Sequence, residues 1–179
     1  IGYIKKTVSG DVMNIKKVSV DKEGTGMGWG AVYAQYLESM DQISGQGNGL
    51  SVSRQLYKGD EALNESAPLK VGDKITVRLT VKADRDMDFV QIKDDRAACM
   101  EPLQAVSGFR WSNGLGYYQA TKDASTQFFI DQMRKGTYVI EYQVYVNRTG
   151  EYQAGIATVQ SAYAPEFGGH TGGYRVMVE

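Results

Sequence analysis

Closely spaced carboxylates are the first residues in this sequence whose pattern could do chemistry. Asp84, Asp86 and Asp88 stand at D-x-D-x-D spacing with Asp95 further on, an arrangement in which oxygen ligands can converge on a calcium ion. Phe89, however, takes the position where such a loop needs glycine for its sharp turn, so solvated turn carboxylates are expected instead. Asp94-Asp95-Arg96 sets acids beside a base, but no second perturbed group accompanies them in sequence, and an ion-paired strand end is expected. The single histidine, His170, lies in Phe167-Gly168-Gly169-His170-Thr171-Gly172-Gly173, a glycine-rich stretch without the Lys and Ser/Thr of a phosphate loop; it reads as a loop histidine. One histidine and one cysteine, Cys99, give no zinc pattern, and no G-x-S-x-G elbow is present. The expectation is therefore a non-enzyme with no catalytic residue, no metal and no cofactor. Aromatic residues are the more informative surplus, with 12 tyrosines and two tryptophans. Trp111, Tyr117 and Tyr118, set among Asn and Gly, could form a sugar platform or a protein-binding patch, or pack across strands as sheet aromatics commonly do.

The elements that must position these residues are strands. Ile75, Val77, Leu79 and Val81 alternate with Thr76, Arg78, Thr80 and Lys82, which predicts a strand with one buried face. Tyr138, Ile140, Tyr142, Val144 and Val146 share a face opposite Val139, Glu141, Gln143 and Tyr145, predicting a second long strand covered on much of both sides. Strands are predicted at 11–20, 29–37, 50–57, 71–82, 87–93, 125–131, 137–146, 151–160 and 173–178, bounded by turn formers, and helix signals are scarce. Val146-Asn147-Arg148-Thr149-Gly150-Glu151 predicts a tight hairpin. Ser44-Gly45-Gln46-Gly47-Asn48-Gly49 reads as a flexible joint, dividing a front piece, 1–43, from a body, 44–179. Two or three front strands are too few for an independent core.

Bulk composition narrows the function classes. With 42% hydrophobic and 23% charged residues the chain is that of a folded protein, and 20 basic against 21 acidic residues, without a basic block, argue against nucleic acid. No apolar run approaches the roughly 20 residues that cross a bilayer. The N-terminus lacks both an initiating Met and a signal-peptide core, so the chain reads as an excised piece of something longer.

The stretches G-L-S-V-S-R-Q-L-Y (49–57), L-K-V-G-D-K-I-T-V-R-L-T-V-K-A-D-R-D-M-D-F-V (69–90), K-D-D-R (93–96), K-G-T-Y-V-I-E-Y-Q-V-Y-V-N-R-T-G-E-Y (135–152) and Y-A-P-E-F (163–167) together resemble the C-terminal end of bacterial alpha-2-macroglobulins. The resemblance implies an all-β antiparallel sandwich of the macroglobulin type. It implies further that the front piece, with G-D-V-M-N-I-K-K-V-S-V and Gly28-Trp29-Gly30, supplies extra N-terminal strands closing a CUB-like domain. The parent would be a large protease trap of the periplasm or cell envelope, held to the membrane only by a lipid anchor. Its partners would be its own upstream domains and the attacking protease. In such a protein this module would be structural and regulatory. The resemblance implies that Tyr163, by its Tyr-x-Pro setting, is the candidate for the tyrosine that shields the thioester in bacterial relatives. Cys99-Met100-Glu101-Pro102 mimics a C-x-E-Q thioester, but Pro102 stands where the bond-forming Gln belongs. A surface sugar-binding module and an Ig-like spacer are the alternative readings.

Overall fold

The computed structural model describes residues 3–10, 14–64 and 67–179. It comprises two units, Ile1–Leu37 and Glu38–Glu179. In the first, residues 3–10 and 14–37 contain no strand, and Val20, Trp29, Val32 and Tyr33 are exposed. The strands expected at 11–20 and 29–37 are therefore not formed there, and residues 11–13 lie outside the described residues. An isolated two-stranded piece is marginal in water because it has no second layer to bury its apolar face. The second unit begins at Glu38, ahead of the expected boundary at 44, because a 3-10 turn at Met40–Gln42 joins it: Asp41 pairs with Arg175 at 2.9 Å.

The second unit is all β. Its strands are β1 (Gln46–Asn48), β2 (Leu50–Lys58), β3 (Glu61–Ala62), β4 (Lys74–Ala83), β5 (Met87–Asp95), β6 (Met100–Pro102), β7 (Gly108–Ser112), β8 (Leu115–Thr121), β9 (Ser125–Met133), β10 (Gly136–Val146), β11 (Gly150–Ala154), β12 (Ala157–Ser161), β13 (Gly168–His170) and β14 (Tyr174–Val178). One sheet runs β6-β10-β4-β2-β1-β13-β12-β5-β9-β8-β7, with β3 beside β2, and β11 pairs with β14 in a second, small sheet. The long sheet folds over itself at β1 and β13. β6, β10, β4 and β2 then face β12, β5, β9, β8 and β7, as the 6.0 Å contact between Phe128 on β9 and Tyr142 on β10 demonstrates. The result is an antiparallel β-sandwich.

The core is what alternation dictates. Ile75, Val77, Leu79 and Val81 of β4 are buried against Ile140 and Val144 of β10, Val90 and Ile92 of β5, and Phe128 and Ile130 of β9. Each such side chain contributes about 1.5–3 kcal/mol by leaving water. β4 and β10 are neighbours over ten paired residues. Contrary to expectation, the second face of β10 stays in water: Glu141, Gln143 and Tyr145 are exposed, because among the described residues no strand of this unit lies outside them.

Four local expectations are corrected. The joint at 44–49 contains β1, whose Gly47 lies opposite Gly169 of β13. A Cβ on Gly47 would sit 2.6 Å from the Leu50 carbonyl, and one on Gly169 2.7 Å from that of Gln46, so glycine here permits close backbone approach at the fold's corner. His170 accordingly lies in a strand, with Nδ1 3.0 Å from the Thr171 carbonyl oxygen. The predicted hairpin at 146–151 does not form: β10 already has β4 and β6 on its two edges, so β11 crosses away to pair with β14. The span 151–160 is accordingly two strands, β11 and β12, in different sheets.

Candidate functional site

The sequence stretches that carry the family resemblance converge inside the sandwich. Arg54 from β2, Asp94 from β5 and Tyr142 from β10 meet between the layers. The Arg54 guanidinium donates to the Asp94 carboxylate and to the Gly155 carbonyl at 2.6 Å, while the Tyr142 hydroxyl donates to the other Asp94 oxygen at 2.7 Å. Tyr174 of β14 lies beneath the guanidinium, 4.6 Å from ring centre to Cζ. Burial pushes the Asp94 carboxyl up, against the pull of Arg54 and Tyr142. Burial also opposes the Arg54 charge, but Asp94, with Tyr174 and Tyr142, more than offsets it and holds Arg54 above its ordinary value. Burial likewise pushes the Tyr174 phenol up to about 12. A buried network of this kind, in which both Asp94 oxygens are bonded, ties one layer to the other in a single register. Asp95 pairs with Lys93 at 3.0 Å and Arg96 donates to Thr126 Oγ1 at 2.6 Å, so the strand end is ion-paired as expected, with Asp94 paired across the layers to Arg54.

Tyr163 stands on the loop between β12 and β13, 80% exposed. Its base is rigidly held. The Ser161 N–H donates to the Phe167 carbonyl (3.0 Å), the Phe167 N–H to that of Ala164 (2.9 Å), and the Asn48 amide to that of Glu166 (2.7 Å). Phe167 packs over Gly49, where a Cβ would meet its ring at 2.6 Å and where φ is +69°, and the Arg85 guanidinium covers the other side at 4.6 Å. The Tyr163 ring meets Phe89 edge-on, 5.2 Å between centroids at 84°. Phe89, half-exposed in mid-strand, has φ +52°, a left-handed conformation that bulky residues rarely adopt. Sequence reasoning passed over Phe89 as a ring partner, since nothing local signals a contact 74 positions away.

The aromatic patch expected from Trp111, Tyr117 and Tyr118 is divided by strand alternation. Trp111 and Tyr118 face outward, whereas Tyr117 is buried against Phe128, 5.6 Å between centroids. The outer rings form a different group: Phe109, Tyr118 and Phe129 lie opposite one another across β7, β8 and β9, with Phe109 and Tyr118 edge-on at 5.1 Å and 74°. Non-parallel rings do not make the flat platform a sugar ring stacks on. Elsewhere, Asp84 pairs with Arg85 and Asp86 accepts the Lys135 N–H at 2.7 Å. Cys99 is buried, and burial pushes its thiol up. Among the described residues no cluster of three or more His, Cys, Asp or Glu could hold a metal.

Known proteins resemble this arrangement. The family described as the bacterial alpha-2-macroglobulin MG10 domain matches residues 49–166, about two-thirds of the chain, from β2 through the Tyr163 loop. The chain belongs to the bacterial alpha-2-macroglobulin MG10 family. This MG10 domain is similar in structure to the C-terminal part of native Escherichia coli alpha-2-macroglobulin from domain MG7 onward, at 17% identity and a TM-score of 0.63, over 75% of this chain and 24% of that one. It is similar to trypsin-activated E. coli alpha-2-macroglobulin, at 15% identity and TM-score 0.64, over 76% of this chain and 11% of that one. It is similar also to Salmonella alpha-2-macroglobulin reacted with methylamine, at 20% identity and TM-score 0.62, over 75% of this chain and 10% of that one. At those identities the likeness concerns the fold. Among curated proteins it is 27% identical over 166 residues to the circularly permutated Ras protein 2 of Dictyostelium discoideum, covering 89% of this chain and 4% of that protein. The MG10 chain thus spans a small share of each of these proteins.

Proposed function

We propose that this MG10 domain is a non-catalytic structural and regulatory module of a bacterial protease trap, packing on upstream domains of the same polypeptide through the Tyr163 loop. The observation that carries this reading is an exposed aromatic on a hydrogen-bonded base: the ring, edge-on to Phe89, is otherwise open to solvent while the turns beneath it are hydrogen-bonded. A preorganised tyrosine loses little entropy on docking, which is why tyrosines dominate interface hot spots. The half-exposed Phe89 supplies a second apolar surface beside it, and the left-handed backbone there aims the ring outward. The Phe109–Trp111–Tyr118 face fits a further contact in the same assembly.

In this reading the residues 1–37 belong to the closing part of a CUB-like domain and complete their strands only with the rest of it. The parent resides in the periplasm or cell envelope, anchored by lipid, and meets its target proteases through domains upstream. Contact at Tyr163 holds the uncleaved conformation and is released when the parent is cut. Truncating a hot-spot tyrosine costs about 2 kcal/mol, a shift of about thirtyfold between held and released forms. The test compares the full-length parent with Tyr163→Ala and Tyr163→Phe. Protease-induced conversion, followed by native gel mobility, is expected to be mimicked without protease in Tyr163→Ala. Unchanged mobility and unchanged trapping in that variant would remove the holding role.

A further inference from the structure

A cleft of about 320 Å³ opens where β10 is left uncovered beside the inner side of β7 and β8. β6 pairs only with Val144–Val146, so among the described residues the remainder of that β10 edge has no strand against it. The Asn113 amide donates to the Val139 carbonyl at 3.2 Å and the Leu103 N–H to that of Gln143 at 2.9 Å. Glu141 lies between them. By strand alternation its main-chain N–H and C=O point the same way, into the cleft. Its carboxylate is held at the rim by Arg78.

The opposite wall carries polar groups that the protein leaves without partners. Gln119 and Tyr117 are each 5% exposed and line the cleft, and among the described residues neither side chain has a hydrogen-bond partner. Their polar atoms are not sealed in the core: among the described residues the buried side-chain atoms without a partner are Arg96 Nε and Asn147 Oδ1, so the Gln119 amide and the Tyr117 hydroxyl open to the cleft and are available to a ligand there. Burial pushes the Tyr117 phenol up, against the pull of the nearby Arg110 charge, so it keeps its proton and remains a donor. The Arg110 guanidinium makes one long bond, 3.4 Å to the Val106 carbonyl, and among the described residues has no carboxylate partner.

These groups specify a ligand. A guanidinium with free donors selects a carboxylate. An amide that both donates and accepts, a phenol and an open strand edge suit neighbouring hydroxyls, and the volume admits one sugar ring. We infer that this cleft binds a hydroxy-carboxylate of monosaccharide size, an acidic sugar whose carboxylate meets Arg110 and whose hydroxyls meet Gln119, Tyr117 and the β10 edge. The site is separate from the Tyr163 loop and from the outward Trp111 face, and its function does not depend on either.

The test is a titration of the isotopically labelled chain with D-glucuronate, D-glucose and acetate, read at the Gln119 side-chain amide and the Arg110 Nε–H. Glucuronate is expected to give saturable shifts in the millimolar range, as befits a small polar ligand. Glucose, lacking the carboxylate, and acetate, lacking the hydroxyls, should each bind at least about tenfold more weakly. Arg110→Ala, at an exposed position, should reduce glucuronate affinity to that of glucose and leave glucose unaffected. Gln119→Leu keeps the packing volume and should weaken both sugars, with the remaining amide resonances unmoved as the sign of an intact fold. No saturation by glucuronate up to about 50 mM, equal affinity for acetate, or full glucuronate affinity in Arg110→Ala would overturn the assignment.

Discussion

Removing the Asp94 carboxylate should reveal how the sandwich is held together. Arg54 and Asp94 are 5% and 1% exposed at the side chain, so Asp94→Leu strands a guanidinium between the layers and leaves the Tyr142 hydroxyl without its acceptor. Breaking one partner of a buried pair costs about 3–5 kcal/mol. For a unit of roughly 140 residues that corresponds to a fall in melting temperature of about 10 °C. Replacing both partners, as Arg54→Met with Asp94→Leu, removes the stranded charge along with its mate and should recover more than about 2 kcal/mol of that loss. Urea unfolding of the four proteins, followed by tryptophan fluorescence and far-UV circular dichroism together, gives the double-mutant cycle. Single-variant losses below about 1 kcal/mol, or a double variant whose loss equals the sum of the singles, would refute the claim that this pair registers the layers.

Gly49→Ala should cost about 1–3 kcal/mol, because φ is +69° and the new methyl would meet the Phe167 ring at 2.6 Å; thermal melting measures it, and the Tyr163 loop amides should shift with it. Phe128→Ala should cost about 3–5 kcal/mol, since that ring is fully buried between Tyr117 and Tyr142, and urea titration reads the loss directly. Acid should weaken the unit partly through Asp73. The Lys58 ammonium, at 2.8 Å, and the Lys70 N–H hold its carboxyl below the usual range. A lowered folded-state value means that the unfolded chain takes up protons first on acidification. The stabilisation is thus complete above about pH 4 and lost as pH falls through the folded value. Asp73→Asn should therefore lower the urea midpoint at neutral pH and narrow the difference between neutral and acid midpoints.

How legible the fold was depends on where each residue's constraint lies. β4 and β10 could be read because alternation records a buried face locally, as Ile75 to Val81 and Ile140 to Val146 do. β7 and β8 could not, because Phe109 and Trp111 put their apolar rings on the water side and Tyr117 reverses the sense. β1 and β13 look like loops in sequence. Glycine is required at Gly169 by a backbone more than a hundred positions away and at Gly47 by the Leu50 carbonyl where the chain doubles back, and no sequence pattern carries that information. The turn at Asn147 reads as a hairpin for the same reason: only the sheet order tells that both edges of β10 are taken. Of the candidate site, the Tyr-x-Pro setting singles out Tyr163, which the structure places exposed on the loop between β12 and β13. The Arg54–Asp94 pair, 40 positions apart, and the Phe89 contact depend on the finished sandwich.

Hydrogen exchange at Ala162–Phe167 in the full-length parent, before and after protease cleavage, tests most directly whether this domain braces the larger protein. Docking of the Tyr163 loop on an upstream domain predicts slow exchange of these amides in the uncleaved protein and faster exchange once it is cut, approaching that of the isolated chain. Exchange equal to that of the isolated chain in both states would contradict it.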